Sequence, residues 1–419
     1  MGEFTSGNPV IRNMGICDPH LHVFDGKMYM YCSHDVDRRQ TGYVMHDWCI
    51  CSSEDLVDWR IESFPRPEDT YIGPTDSCWA TDAAERDGRY YFYFSYANIS
   101  TGVAVSDDPG KGFVDALGHP LLPEGLTPTR SYDPAVFVDD DPGRTPYIIF
   151  GTPVWANGDS YYIARLGDDM ISLAEQPRKV LLDHEGSDKP ALHKYGGRYY
   201  LTYGSHYAVA DDVYGPYTYR GFIGSSIDHG NFVEWNGQWF QSFTLFDPTL
   251  FYRAIGLCYI HYRDNGDMVA DPMIVEYGVG RYNAAWRRIE AEWYMSGSKI
   301  RKKELPFYGF CVMGEDGGQI RFPHVCDLPK NAGVCLYAAG LSDAESRIEI
   351  REGDADGRLL GVCRIRPGKS LEIGNFDLYY GRLAHPGGEA DLCFVFRGSR
   401  DGHVAALDHF RFYPEEDEE

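Results

Sequence analysis

The sequence predicts an all-β protein: a five-bladed β-propeller followed by a jelly-roll-like β-sandwich. Three observations carry this. One hairpin unit, led by an acid or a histidine, recurs five times between residues 18 and 240. Aromatics make up 15% of the chain, with 31 Tyr and 22 Phe, as strands and their packing favour. Near residue 280 the repeat gives way to short, evenly spaced alternating segments.

The first unit sets the pattern. Asp18-Pro19 leads a strand to Phe24, Asp25-Gly26 turns it, and residues 27–35 return. Asp-Gly suits a type I′ turn, in which both central residues take positive φ. The returning strand alternates, so Tyr29 and Tyr31 face one way and Met28 and Met30 the other. An Asp-Pro pair alone is a turn opener; its recurrence is what gives it weight.

Four further copies follow in order. Asp82 leads to the turn Asp87-Gly88, Asp133-Pro134 to a looser turn at residues 141–143, Asp188-Lys189-Pro190 to Gly196-Gly197, and His229-Gly230 to Asn236-Gly237. Their spacing leaves room for four strands and loops apiece, which favours propeller blades over a solenoid. In a propeller the first strand of each blade runs nearest the axis, so its leading residue faces one mouth. Asp18, Asp82, Asp133, Asp188 and His229 should therefore converge there. Four carboxylates and an imidazole are costly to hold together unless they bind a sugar, a proton or a cation.

With these stretches, and with Cys78-Trp79-Ala80-Thr81-Asp82, Tyr214-Gly215-Pro216-Tyr217 and Tyr252-Arg253, the chain resembles glycoside hydrolase family 43 over roughly residues 9–275. The resemblance implies an inverting, exo-acting glycosidase, an α-L-arabinofuranosidase or β-D-xylosidase on plant cell-wall oligosaccharides. It makes Asp18 the general base, Asp133 the residue that tunes the acid and orients substrate, Arg253 a substrate neighbour, and His229 the holder of an axial calcium ion or its water shell. No cofactor is implied for the chemistry itself. The general acid departs from the family pattern of Glu-Gly-Pro or Glu-Ala-Ser, because this chain reads His184-Glu185-Gly186-Ser187-Asp188. Hairpin register selects Asp188, the local string selects Glu185, and the turn fixes register more firmly than it fixes loop length. Trp79 is a candidate sugar platform against a packing role, and Asp82 and His34 are set beside it as substrate-binding residues. The alternative reading is a non-catalytic glycan-binding propeller with an accessory sandwich.

A net charge of −24 argues against nucleic acid or anionic membrane as partner and suits a neutral oligosaccharide. No apolar run is long enough to span a membrane. The N-terminal residues have neither the basic start nor the apolar core of a signal peptide, and several of the 11 cysteines sit within strands. Both point to a reducing, cytoplasmic setting. Cys49 and Cys51 read as packing residues, since a pair supplies too few ligands for a metal.

The propeller is expected to occupy residues 1–280 and the sandwich residues 281–419. The second part is similar to carbohydrate-binding module family 6, with Ile289-Glu290-Ala291-Glu292 at its start and Leu407-Asp408-His409-Phe410 near its end. That similarity implies a structural calcium held by Glu290, Glu292 and Asp408, the two glutamates sharing one strand face. The family's usual tryptophan platform is replaced by Gly368-Lys369-Ser370-Leu371, with Tyr379 and Tyr380 nearby, which favours a bracing role for the sandwich. The acidic end at residues 414–419 reads as a tail.

Overall fold

The computed structural model describes residues 7–153, 160–223, 229–271, 277–306, 309–399 and 401–414, apart from the side chain of Asp247. The acidic run at 415–419 lies outside the described residues. Among them the chain forms five four-stranded antiparallel meanders, then one ten-stranded sheet that wraps into a sandwich.

The first blade is built from Gly15–Phe24, Lys27–Asp35, Trp48–Ser53 and Arg60–Ser63. The inner strands of the other four are Cys78–Arg86, Ala135–Val138, Pro190–Tyr195 and Phe232–Trp235. Turn chemistry closes the hairpins. Asp25 and Gly26 have φ of 52° and 77°, and Asp87 and Gly88 repeat this at 54° and 76°.

Alternation along each strand decides how blades stack. Tyr31 joins Trp48, Phe92 and Phe94 in the core between blades one and two. Met28 and Met30, on the opposite face, join Phe240 and Leu257 of blade five. Tyr91, Tyr93, Ile148 and Phe150 fill the gap between blades two and three, and Ile149, Tyr161, Leu201 and Tyr203 that between three and four. Every blade thus gives one apolar face to each neighbour, and this closes the ring. The N-terminal segment helps: the Asn8 side chain donates to Leu257 O and accepts from Leu257 N.

The core between blades five and one continues into the sandwich through Tyr282, Trp293, Phe322 and Phe410. The Gln238 amide of blade five donates to the carbonyls of Glu292 and Tyr294. Glu290 ends a two-residue strand and Glu292 lies in the 3-10 turn Ala291–Trp293. They do not share a strand face, because the chain turns between them, yet both are buried. Tyr379 is also buried, whereas Tyr380 is exposed.

Candidate active site

Two aspartates are presented by the same local device. The ladder of the first hairpin breaks between Cys17 and His20, so Asp18-Pro19 bulges out of it. Asp18 has φ of 54° and Asp133, which also precedes proline, has 55°. Aspartate adopts this left-handed region more readily than most residues. Each freed amide is then caught by a hydroxyl of an adjacent blade. Asp18 N donates to Thr244 Oγ1 at 2.9 Å, and Asp133 N donates to Ser95 Oγ at 3.0 Å. The carboxyls are thereby turned off the strand and into the mouth of the propeller.

A cavity of about 370 Å³ opens there, lined by Asp18, Asp133, Asp188, His229, Arg253 and Trp79 among others. Its size is in the range of small-molecule sites. His229 stands between two carboxylates, with Nδ1 3.4 Å from Asp18 Oδ1 and Nε2 2.8 Å from Asp188 Oδ1. Arg253 clasps Asp35 through Nε and Nη2 at 3.1 Å each, and its Nη1 donates to Asp18 Oδ1 at 3.0 Å. Burial pushes the Asp18 carboxyl up, but the charges of Arg253 and His229 outweigh it, and the group ends below the usual carboxylate range. Asp133 goes the other way. Burial and the nearby charge of Asp188 push it up to about 6, against the opposing effects of His229 and of Thr152, whose hydroxyl donates to Asp133 Oδ2 at 2.6 Å. The site thus keeps Asp18 ionised and sets Asp133 and Asp188 close enough for like charge to favour a proton on the pair.

Trp79 is held by its backbone: its carbonyl accepts from Nε1 of the fully buried Trp48 at 2.8 Å. Tyr43 packs edge-on to Trp79 and beneath the Arg253 guanidinium, 4.9 Å from ring centre to Cζ. Tyr43, Met45, Ala80, Asn98, Tyr132 and Thr152 complete the lining, and sequence reasoning gave none of the six a role in the site. Tyr132 and Thr152 flank the third hairpin and could have been noticed there. Tyr43 comes from a blade-one connection that has no periodic signal.

Three expected residues lie elsewhere. Asp82 is 1% exposed and does not line this cavity. Its Oδ1 is 2.6 Å from His22 Nε2 and 2.9 Å from His20 Nδ1, and its Oδ2 accepts from Val136 N at 2.6 Å. It is therefore an axial buried residue and not a substrate contact. His34 pairs through Nδ1 with Asp47 Oδ1 at 2.6 Å and packs on Phe64, away from the cavity. Glu185 is exposed and outside the lining, whereas Asp188 is within it.

Beside His229, ligand atoms of Asp133, Asp188 and His229 lie within 4.8 Å of one another, close enough to share a cation. The two ring nitrogens lie 3.4 and 2.8 Å from carboxylate oxygens, and the buried Lys189 ammonium already brings positive charge to these acids. The sandwich offers a second place. Glu290, Glu292 and Asp408 are all buried, and Glu292 Oε2 and Asp408 Oδ1 have no hydrogen-bond partner. Burial, together with the mutual charges of these acids, pushes Glu290 up to about 7 and Glu292 well above the carboxylate range. Glu290 and Asp408 place ligand atoms within 4.8 Å of one another and of His409, a spacing that suits a hard cation, whereas Glu292 groups with His261 and Asp271.

The profile of glycosyl hydrolases family 43 matches residues 6–207. A xylosidase/arabinosidase of Bacteroides ovatus is 30% identical over 316 residues, covering 61% of this chain and 94% of the relative. Among solved structures, a β-xylosidase/α-arabinofuranosidase from a compost metagenome, in complex with xylotriose in a calcium-free form, is 28% identical with TM-score 0.56 over 64% of this chain and 97% of its own. The arabinoxylan arabinofuranohydrolase of Bacillus subtilis, in complex with cellotetraose, is 21% identical with TM-score 0.55 and covers 97% of both chains. That likeness shows that the whole two-part fold has a precedent.

Proposed function

The chain belongs to glycosyl hydrolases family 43, and from that premise we propose that it is an inverting, exo-acting glycosidase releasing α-L-arabinofuranosyl or β-D-xylosyl units from plant cell-wall oligosaccharides. The observation that carries this reading is the placement of Asp18 and Asp188 on opposite sides of one imidazole. One ring and two contacts set the carboxylates apart by the separation class of about 6.5–9.5 Å in which water fits between base and sugar.

In this reading Asp18 accepts a proton from the attacking water while Asp188 donates one to the departing glycosidic oxygen. Arg253 keeps the base ionised and aimed, and Asp133, charge-coupled to Asp188, favours the protonated acid by like-charge repulsion. Trp79 offers its face to the sugar ring. The names of the Bacteroides and compost proteins support a pentose substrate.

The chemistry rests on carboxylates, and no step passes through a metal. Glu290 and Asp408 are the residues that would hold a structural calcium in the sandwich, where it would neutralise buried acids. Ten of the 11 cysteines are buried, where a thiol packs as a small apolar group, which supports a reducing compartment.

A panel of nitrophenyl glycosides tests the activity, and proton NMR of the first anomer released tests inversion. Turnover of the α-L-arabinofuranoside or β-D-xyloside with an inverted anomer is expected. Binding of oligosaccharide without turnover of any member would instead favour the non-catalytic alternative.

A further inference from the structure

Lys189 follows Asp188 directly, and its surroundings are unusual for a lysine. It is 3% exposed. Its ammonium lies 2.5 Å from Nε2 of His20, in blade one. The acids whose charges act on it are Asp82 of blade two, Asp133 of blade three, Asp18 of blade one and Asp188 of its own blade. Through His20, which lies 2.9 Å from Asp82, the ammonium of a blade-four lysine meets blades one and two at the propeller axis.

A protonated Lys189 donates to Nε2 of a neutral His20, whose Nδ1 then carries the hydrogen and faces Asp82 Oδ1 at 2.9 Å. Burial, with the charge of Lys189, holds the His20 pKa down at about 4, so the ring is neutral as this arrangement requires. Asp82 is kept ionised well below the carboxylate range by His20 and His22 against its burial. The row Lys189–His20–Asp82–His22 is continuous along the axis, and its His20, Asp82 and His22 end lines a second cavity. Burial lowers the Lys189 pKa to about 8, which still leaves it charged at neutral pH.

A buried ammonium whose charge acts on four carboxylates can do what an axial metal ion would do, which is to offset their mutual repulsion. Resting on the glycosidase reading above, we infer that Lys189 is a positioning residue, the resident cation of the axis, which holds Asp18, Asp133 and Asp188 in register and makes hydrolysis independent of added divalent ions. None of the three acids can be set correctly by its own strand alone, since each comes from a different blade.

The test uses the full chain and the variants Lys189→Ala and Lys189→Met. Stripping the wild type with EDTA should leave its kcat unchanged well below the unfolding transition. Lys189→Ala should lower kcat by about 10²-fold with KM little changed, as misplacement of reacting groups does. Ethylammonium chloride, the missing end of the side chain, should restore part of that kcat, whereas sodium chloride at equal ionic strength and neutral propanol should not. Ethylammonium should also raise the Tm of Lys189→Ala and not that of the wild type, because only the variant has a place to bind it. Should Lys189→Ala fail to fold, Lys189→Met keeps the volume without the charge and should show the same kcat loss. A folded variant with wild-type kcat, a loss that ethylammonium does not relieve, or EDTA-stripped wild type revived by calcium would each overturn the inference. Wild type inert across the glycoside panel would overturn the glycosidase reading instead, and the ethylammonium-dependent Tm would still decide whether residue 189 holds the axial cation.

Discussion

Arg253 Nη1 lies 3.0 Å from Asp18 Oδ1, and both side chains are almost completely buried. The rest of the guanidinium is committed to Asp35, so the arginine is anchored by one carboxylate and aims the other. Without it two buried acids lose their counter-charge. Arg253→Met should cost about 3–5 kcal/mol of stability, the usual penalty for breaking a buried pair. The Asp18 carboxyl should also rise, moving the acidic limb of the kcat/KM profile to higher pH. Urea unfolding and a pH–rate profile check the two effects separately.

Asp18→Asn removes the base and leaves the Arg253–Asp35 clasp intact. Turnover should fall by about 10²–10⁴-fold, the range attributed to general base catalysis. The folded state should persist, because Asp18 N still donates to Thr244. Near-normal kcat in this variant would remove Asp18 from the mechanism.

Asp133 carries a stability cost that its function requires. Its folded pKa of about 6 lies above the unfolded value of 3.8. Between those values the folded state holds a proton that the unfolded state has lost, so this group makes stability fall as pH rises from 4 to 6. Two pH units correspond to about 3 kcal/mol at neutral pH. Asp133→Asn should therefore lose activity, unfold at higher urea than wild type at pH 7, and show a flatter stability profile between pH 4 and 6. Wild-type urea resistance at pH 7 and an unchanged slope would contradict this.

The three sandwich acids give a prediction about ions. Removing calcium with EDTA should lower the Tm, and restoring it at a hundredfold above Kd should return about 2.7 kcal/mol. In Asp408→Ala the response should vanish, since that residue supplies an otherwise unpartnered oxygen at the site. A calcium-insensitive wild type would leave the buried acids to be neutralised by protons alone.

How much of this was legible in the sequence depended on whether a residue's position was set locally. Asp18 and Asp133 could be found because an Asp-Pro pair before a hairpin is a local unit, and bulge and left-handed φ follow from it. Asp82 was misplaced for an instructive reason. Counted back from the Asp-Gly turns, it is level with His20 and not with Asp18, and it sits within the ladder opposite Tyr93. The recurrence marked the right strand but not the depth along the axis. Tyr43 and Arg253 meet only because blades one and five close the ring, and no local pattern announces such a contact. Lys189 was legible as a residue but not as an axial one, since only the assembled blades show what surrounds its ammonium.

The choice between Asp188 and Glu185 bears most directly on mechanism. Asp188 lines the cavity beside His229, whereas Glu185 is exposed outside it. Removing a general acid hurts most when the leaving group is poor, because a good one departs without a proton. Asp188→Ala should therefore slow hydrolysis of natural disaccharides far more than that of dinitrophenyl glycosides, and it should abolish the basic limb of the pH–rate profile. Glu185→Ala should behave as wild type on both substrates, since its carboxyl cannot reach the glycosidic oxygen without moving the loop before Asp188. That loop is anchored: Ser187 N and the Asp188 carbonyl both bond to the Tyr161 hydroxyl, at 3.2 and 2.7 Å. Tyr161→Phe releases both contacts and should weaken Asp188-dependent turnover of the disaccharide selectively. A Glu185→Ala variant that lost disaccharide activity while keeping dinitrophenyl activity would transfer the acid to Glu185 and give the anchored loop a different meaning.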